Sequence, residues 1–252
     1  MKILCQTGLE IVRERGQYAD PRHELARVKK HTEDLAKMME QALQHLKDPT
    51  ACQSMRDQLE HWNLYLHRSY ILSELYRSAL KRKQASSELS SLRAVCLEHM
   101  ANTVDAFLGL QNVTRFATQS WAAIHRSLSS ALLLAILKQP LANHRVRILL
   151  DRLIAVISNV NSPLDPAEAS APISRAVQAL SRLCPYQGSE GSLEYGSSEL
   201  QSSVWEPSNS SDTFLFGNPS SEGAMEDSDH SEDSPYRMMA KILWGSQAIT
   251  PP

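Results

Sequence analysis

The chain has 252 residues, 42% of them hydrophobic, which is enough to bury a sizeable core in one or two domains. Its charge is divided, because residues 1–185 hold 24 Lys and Arg against 17 Asp and Glu, whereas residues 186–252 hold 2 against 11. The basic excess of the first part is small and spread along the chain, which excludes a strongly basic nucleic-acid-binding domain. We therefore expect no direct contact with nucleic acid.

The amino-terminal segment, residues 1–20, begins with MKILCQTG, which lacks the apolar run and the cleavage site of a signal peptide. The four cysteines, at positions 5, 52, 96 and 184, are too far apart for a zinc knuckle or a compact disulfide framework. We expect unpaired thiols in a reducing compartment, with no metal and no other cofactor.

Residues 21–185 are predicted to form an all-α, multi-helix bundle. In the first helix, apolar residues recur every three or four positions from Leu25 to Leu46, between an Asp-Pro start signal and an Asp-Pro stop signal at positions 48 and 49. The positions beside this stripe lack opposed charges, which favours a wide bundle face over a dimerising coiled coil.

The next helix is predicted from about Thr50 to Lys83, and its apolar residues lie on two faces. One face carries Trp62, Leu66 and Tyr70, and the other carries Leu64, Ile71, Leu75 and Ala79. A helix that is apolar on two faces lies at the centre of its bundle, so Trp62 and Tyr70 are predicted core residues. A further helix is predicted over residues 86–110.

The segment from Arg115 to Lys138, RFATQSWAAIHRSLSSALLLAILK, is predicted to be the most deeply buried helix. Trp121, Leu128 and Leu132 lie on one stripe and are predicted core residues, and residues 131–137 are apolar on every side. Spanning a bilayer takes about 20 apolar residues, so we expect burial in protein and no membrane insertion. An amphipathic helix at 146–157 and a weaker helix within 166–183 follow.

The carboxy-terminal part differs in composition. Residues 186–233 are acidic and Ser-rich without a sustained apolar period, and we predict that they are disordered. Trp205, Phe214 and Phe216 lie among acids and serines, a mixture typical of activation segments that bind a coactivator groove. The alternative is a solvated linker to the last segment, residues 234–252, where a short docking helix is predicted with Trp244 in its buried face.

Three serines of this part are candidates for phosphorylation. Ser228, Ser231 and Ser234 lie among acidic residues, and the last of them precedes a proline.

Sequence motifs for catalysis are missing, because the chain has no glycine-rich phosphate loop, no His-Glu-x-x-His, no Gly-x-Ser-x-Gly and no closely spaced cysteine pair. His61 and His67 are six residues apart on one predicted helix, which places them on opposite sides of it and makes them unsuited to bind one metal. His125 is interpreted as a helix-face or core histidine. We expect that the protein is not an enzyme.

Two segments resemble the carboxy-terminal half of the fungal-specific transcription factor regulatory domain. They are EHWNLYLHRSYILSELYRSALKRK at residues 60–83 and TRFATQSWAAIHRSLSSALLLAIL at residues 114–137. This all-helical region, also called the middle homology region, follows a zinc binuclear cluster DNA-binding domain in that family. The peptide SPYRMMAKILWG at 234–245, after an acidic Ser-rich spacer, extends the resemblance over roughly residues 20–245.

The resemblance implies a nuclear protein that regulates transcription through protein partners, either the transcription machinery or a related factor. The chain lacks the six-cysteine zinc cluster of the family, so zinc and base readout are not carried over. A truncated factor, a degenerate copy and a working short regulator are the three explanations of this departure. Outside the resemblance, the alternative is a cytosolic helical scaffold or adaptor whose partner binds along the helix from Pro21 to Lys47.

Overall fold

The computed structural model describes residues 2–13, 21–77, 80, 87–161, 171–184 and 234–244. Within these residues the regular elements are α-helices and two short 3₁₀ turns, and none is a strand, which confirms the all-α prediction. The helices are α1 (Lys2–Arg13), α2 (Pro21–Glu40), α3 (Gln44–Lys47), α4 (Met55–Leu75), α5 (Ser87–Val113), α6 (Trp121–Ile136), α7 (Gln139–Ala142), α8 (His144–Asn161), α9 (Ala171–Leu183) and α10 (Pro235–Trp244).

The predicted helix from Pro21 to Lys47 is interrupted after Glu40. A turn over residues 41–43 separates α2 from the single turn of α3. The Nζ of Lys47 folds back and donates to the Glu40 carbonyl at 2.6 Å, which satisfies one of the carbonyls left open at the end of α2. The prediction of one continuous helix was therefore wrong.

α4 begins later than predicted because its start is defined by side-chain caps. The Asp48 side chain accepts from the Thr50 amide at 2.9 Å and holds a 3₁₀ turn over Pro49–Ala51. Ser54 and Asp57 then form a capping box, in which each side chain accepts from the other residue's amide at 3.1 Å. The helix ends at Leu75, before the predicted end at Lys83, and a turn follows it.

α4 contributes to two apolar cores, as its two predicted apolar faces required. Leu66 belongs to the main core, which α5, α6, α8, α9 and α10 complete. Leu72 and Leu75 pack with Leu4 of α1 and Leu35 of α2 in a second, smaller core. The prediction that this helix lies centrally in the bundle is confirmed.

α6 is the most deeply buried helix of the main core. The Ser120 hydroxyl accepts from the Ala123 amide at its start, and residues 127–135 are all buried. The helix ends where Lys138 takes a left-handed conformation with φ 57°, which stops further helical hydrogen bonding. None of the described helices is long and apolar enough to cross a membrane.

The last two helices close the bundle over α6. α9 packs against α6 and α8, and α10 packs against α6 and α9. Ile173, Ala176 and Leu180 form the buried face of α9. The short carboxy-terminal helix of the prediction is therefore present, and it docks on the body of the same chain.

Candidate functional site

The candidate site is the α10 seam, which is the surface where α10 packs on α6, α9 and the end of α4. Tyr236 and Leu243 are the buried side chains of α10, with 4% and 1% of their surfaces exposed. Arg175 of α9 donates from Nε to the Ile242 carbonyl at 3.2 Å and from Nη2 to the Leu243 carbonyl at 2.8 Å. A cation that binds the last carbonyls of a helix also favours its dipole, so this contact fixes the end of α10.

The first turn of α10 lies against the end of α4. The guanidinium carbon of Arg77 is 3.6 Å from the centre of the Tyr236 ring, a cation–π contact. The Nη1 of Arg77 also lies 3.5 Å from a carboxylate oxygen of Glu74, one helical turn earlier. Arg77 thus links the end of α4 to α10, because it pairs with Glu74 and also makes a cation–π contact with Tyr236.

A cavity of about 250 Å³ lies between α4, α5, α6 and α10. Its lining combines hydroxyl, charged, sulfur-containing and aromatic side chains. They are Tyr70, Ser73, Glu74, Arg77, Met100, His125, Ser129, Ser130, Leu133, Tyr236, Met239, Ala240 and Trp244.

Three lining residues each bury a polar atom that has no hydrogen-bond partner among the described residues. These atoms are the Nε of Arg77, the Oγ of Ser129 and the hydroxyl of Tyr236. A buried polar group without a partner costs about 1–3 kcal/mol, so native structures contain few of them. Three of the six such atoms among the described residues belong to residues that line this cavity.

Burial favours the uncharged form of three titratable groups at or near the surface where α10 meets the body. Burial raises the pKa of the Tyr236 hydroxyl well above its ordinary value of 10.0. Burial also raises the pKa of the nearby Cys96 thiol to about 12. The pKa of His125 is lowered, first by burial and second by the charge of Arg126. At neutral pH these three shifts favour the uncharged forms of Tyr236, Cys96 and His125.

An aromatic patch lies on the outside of the same seam. The ring centres of Trp121 and Trp244 are 6.1 Å apart, and His125 lies 5.8 Å from Trp121 and 5.9 Å from Trp244. Trp121 is 43% exposed and Trp244 is 47% exposed, so their prediction as core residues was wrong. Trp121 is the first residue of α6 and Trp244 the last of α10, and at these ends the two indoles cover each other at the surface.

The other predicted core residues lie inside the bundle to different degrees. Leu128 and Leu132 are buried, with 1% and 0% of their surfaces exposed. Trp62 and Tyr70 are partly buried; Trp62 packs against the main core, and Tyr70 lines the cavity.

The predicted sites of the acidic segment fall mostly outside the described residues. These are Trp205, Phe214 and Phe216 as activation contacts and Ser228 and Ser231 as phosphorylation sites. Ser234 is described and is 6% exposed, and its carbonyl accepts from the Met238 amide at 3.1 Å. Phosphorylation of Ser234 stays a prediction, and in this structure the residue is buried.

Four residues of the seam were not predicted from the sequence: Arg77, Ser129, Arg175 and Tyr236. Ser129 carried a signal, because it and Ser130 are two polar residues directly before the apolar run of residues 131–137. Arg175 had no such signal in the sequence, because the carbonyl that it binds at the end of α10 belongs to a residue 67 positions later.

No protein family, curated protein or solved structure matches this chain. Among the described residues, no three His, Cys, Asp or Glu side chains come together in a way that could hold a metal ion.

Proposed function

We propose that this protein is a transcription-regulatory module of the fungal type, in which a helical body holds the terminal helix α10 in a docked state. The acidic segment, residues 186–233, connects α9 to α10, so docking of α10 attaches both ends of that segment to one body. In this proposal the segment binds protein partners of the transcription machinery through Trp205, Phe214 and Phe216.

The docking of α10 is the observation that supports the proposal most. A helix of ten residues is unstable alone in water, so its contacts with the body maintain it. Those contacts include two buried side chains, one cation–π contact, the packing of Trp244 on Trp121 and one arginine at its last carbonyls. A short helix that depends on such contacts can exchange between a docked and a released state, which a partner favours unequally.

A reporter assay tests the activating role of the acidic segment. The full chain is fused to an unrelated DNA-binding domain, and we expect transcription from a reporter that carries the matching site. Changing Trp205, Phe214 and Phe216 together to Ala should abolish this output, because the aromatic groups supply the apolar contact with a coactivator. Leu141→Ala is the control, because Leu141 is 81% exposed on the body.

An inactive fusion that is present in the nucleus would contradict the proposal. Exclusion of the full chain from the nucleus, with a stable partner recovered in the cytosol, would favour the scaffold alternative. In that alternative the partner binds along residues 21–47, where Val28 and Leu35 are already buried within this chain. That burial leaves less apolar surface for a partner on α2.

A further inference from the structure

We infer that the groove that holds α10 also accepts the α10 of a second copy of this chain. This groove, the α10 groove, is formed by α6, α9 and Arg77 at the end of α4. All three precede residues 185–233 in the sequence, whereas α10 follows them. The described contacts therefore recognise the helix itself and do not depend on which copy of the chain supplies it.

Two buried side chains of α10 define the helix that the groove accepts. Tyr236 is 4% exposed and lies under the guanidinium of Arg77, and Leu243 is 1% exposed. These anchors are two helical turns apart, at positions 236 and 243, so both lie on one face of the helix. Helices that bind grooves in trans use anchors at this spacing. The occupant therefore carries an aromatic ring in its first turn and a leucine two turns later.

Arg175 recognises the end of the bound helix. Its Nε and Nη2 donate to the carbonyls of Ile242 and Leu243, at 3.2 and 2.8 Å. The last four carbonyls of an α-helix have no partner within the helix, and α10 ends at Trp244, so both carbonyls are available. A longer continuous helix would use the same carbonyls internally. The groove thus selects a helix that ends just after its leucine anchor.

An empty α10 groove would expose part of the main core to water. Tyr236 and Leu243 belong to that core, and Met239 and Ile242 pack against it. Removing apolar surface from water favours any state in which the groove is filled. A copy whose own α10 is released presents a surface complementary to α10, and every other copy carries that helix.

The connection between α9 and α10 is long enough for an exchange between copies. It runs from Cys184 to Ser234, and a chain of that length reaches at most about 180 Å. A compact body of this size is about 40 Å across. The α10 of one copy can therefore reach the groove of a neighbour. A reciprocal exchange fills both grooves with the contacts of the single molecule, and it closes as a two-fold dimer.

The same connection determines when exchange competes with docking in one molecule. A helix tethered to its own body is present there at an effective concentration on the order of 1 mM or below. The intact chain therefore keeps its own α10 in dilute solution. Pairing is detected best when each chain is prevented from filling its own groove.

Two complementary variants of the full chain provide the test. Leu243→Asp places a charge at the buried anchor of α10 and leaves the α10 groove intact. Arg175→Glu leaves α10 intact and puts an anion beside its last carbonyls, which repel it. Arg175 is exposed, so this change does not alter the main core. A mixture of the two contains one intact helix and one intact groove, on different chains.

Pairing is measured by sedimentation velocity, and the helix that makes the contact is identified by hydrogen exchange with one variant isotope-labelled. At about 0.1–1 mM of each chain, we expect a 1:1 pair in the mixture and monomer in either variant alone. Exchange of residues 235–244 in the Arg175→Glu chain should slow at least about tenfold on mixing. Helical circular dichroism is measured for every variant, and Leu243→Ala replaces Leu243→Asp if that variant loses the bundle.

Met238→Asp is the matched control for Leu243→Asp. It adds the same charge to the same helix, but Met238 is 43% exposed. Its own α10 should therefore remain in the groove, so a mixture of Met238→Asp with Arg175→Glu should form no pair.

A mixture of Leu243→Asp and Arg175→Glu that stays monomeric, with residues 235–244 exchanging fast in both chains, would overturn the inference. Pairing without protection of those residues would also overturn it, because the contact would then lie elsewhere. Slow exchange of the same residues in either variant alone would do so too, because Leu243 and Arg175 would not be the groups that hold the helix. None of these results involves reporter output, so this inference and the proposed function fail separately.

Discussion

The α10 seam contains two buried hydroxyl groups, those of Tyr236 and Ser129. Each is buried without a hydrogen-bond partner among the described residues, and each belongs to a residue at most 5% exposed. A buried donor in this state lowers stability.

Removing either hydroxyl should therefore stabilise the folded chain. We expect Tyr236→Phe and Ser129→Ala each to raise the free energy of unfolding by about 1 kcal/mol, measured by urea denaturation. Ser127→Ala is the control and should lower it, because the Ser127 hydroxyl donates to the Ala123 and Ile124 carbonyls at 3.0 and 2.9 Å. Destabilisation by Tyr236→Phe would mean that its hydroxyl is paired in solution.

At the scale of the element, α4 and α5 come into close contact at Gly109. A Cβ atom at that position would lie less than 3.0 Å from three carbons of the Trp62 indole. The absence of a side chain at Gly109 therefore lets the Trp62 indole approach the backbone of α5, so that α4 and α5 pack closely at this point. This role of Gly109 was not predicted from the sequence, where glycine near a helix end is typical of a helix stop.

Gly109→Ala should lower the free energy of unfolding by about 1–3 kcal/mol, because the added methyl group displaces Trp62. Alanine is otherwise the better helix former by about 1 kcal/mol. Gly8→Ala in α1 provides the control, since a Cβ atom there would meet Ile71 at 4.0 Å, an ordinary contact. The midpoint of thermal unfolding is measured for both variants. An unchanged or higher midpoint for Gly109→Ala would contradict the close packing of Trp62 on Gly109.

Docking of α10 depends on Leu243 more than on Trp244. Leu243 is 1% exposed, whereas Trp244 is 47% exposed. We expect Leu243→Ala to speed amide hydrogen exchange in residues 235–244 by at least about 30-fold, which corresponds to a loss of about 2 kcal/mol. Trp244→Ala should have a smaller effect, because it removes surface contacts with Trp121 and His125. Equal effects of the two changes would argue against Leu243 as the main anchor.

Helical periodicity predicts burial best in the middle of a helix that other helices surround. Periodicity correctly placed Leu128 and Leu132 in the core, because both lie in the middle of α6 with helices packed around them. Periodicity failed for Trp121, which is the first residue of α6. The apolar stripe of α6 begins there, but the neighbouring helices do not cover that end of it. Periodicity also missed the end of α2, where Lys47 satisfies a backbone carbonyl after the turn.

At the scale of the whole molecule, the surface on which α10 docks could not be read from the sequence. The pattern of SPYRMMAKILWG predicted a short helix that docks, and the structure confirms both points. The surface that receives it is assembled from Arg77, Ser129 and Arg175, which lie on three helices far apart in the chain. Only the packed bundle brings them together, so no local pattern marks them as one site.

Two partly buried histidines make the stability of the bundle sensitive to acid. The pKa of His67 is lowered to about 4, first by burial and second by the charge of Arg126, whose Nη1 donates to the His67 Nδ1. The pKa of His99 is also lowered to about 4, by burial and then by the charge of Arg68. The ordinary value in the unfolded chain is 6.5, so the unfolded state binds protons that the folded state does not between pH 6.5 and pH 4.

The free energy of unfolding should therefore fall as the pH drops from 6.5 towards 4, by about 2 kcal/mol per histidine. Urea denaturation at pH 7.5, 6 and 5 measures this dependence. The double substitution of His67 and His99 by Gln should make it shallower, because Gln does not titrate. An equally steep dependence in the double variant would assign the acid sensitivity to other groups.

We propose that the docked helix α10 restrains the acidic segment and that release of α10 increases its output. The most direct measurement is reporter output from the full chain fused to an unrelated DNA-binding domain, with Leu243→Asp compared against Met238→Asp. Leu243 is buried against the body, whereas Met238 is 43% exposed on the same helix. We predict that Leu243→Asp raises the output several-fold while the helical content of the body is retained, and that Met238→Asp leaves the output unchanged. Equal output from the unchanged chain and Leu243→Asp, with exchange data showing that α10 is released, would contradict the claim.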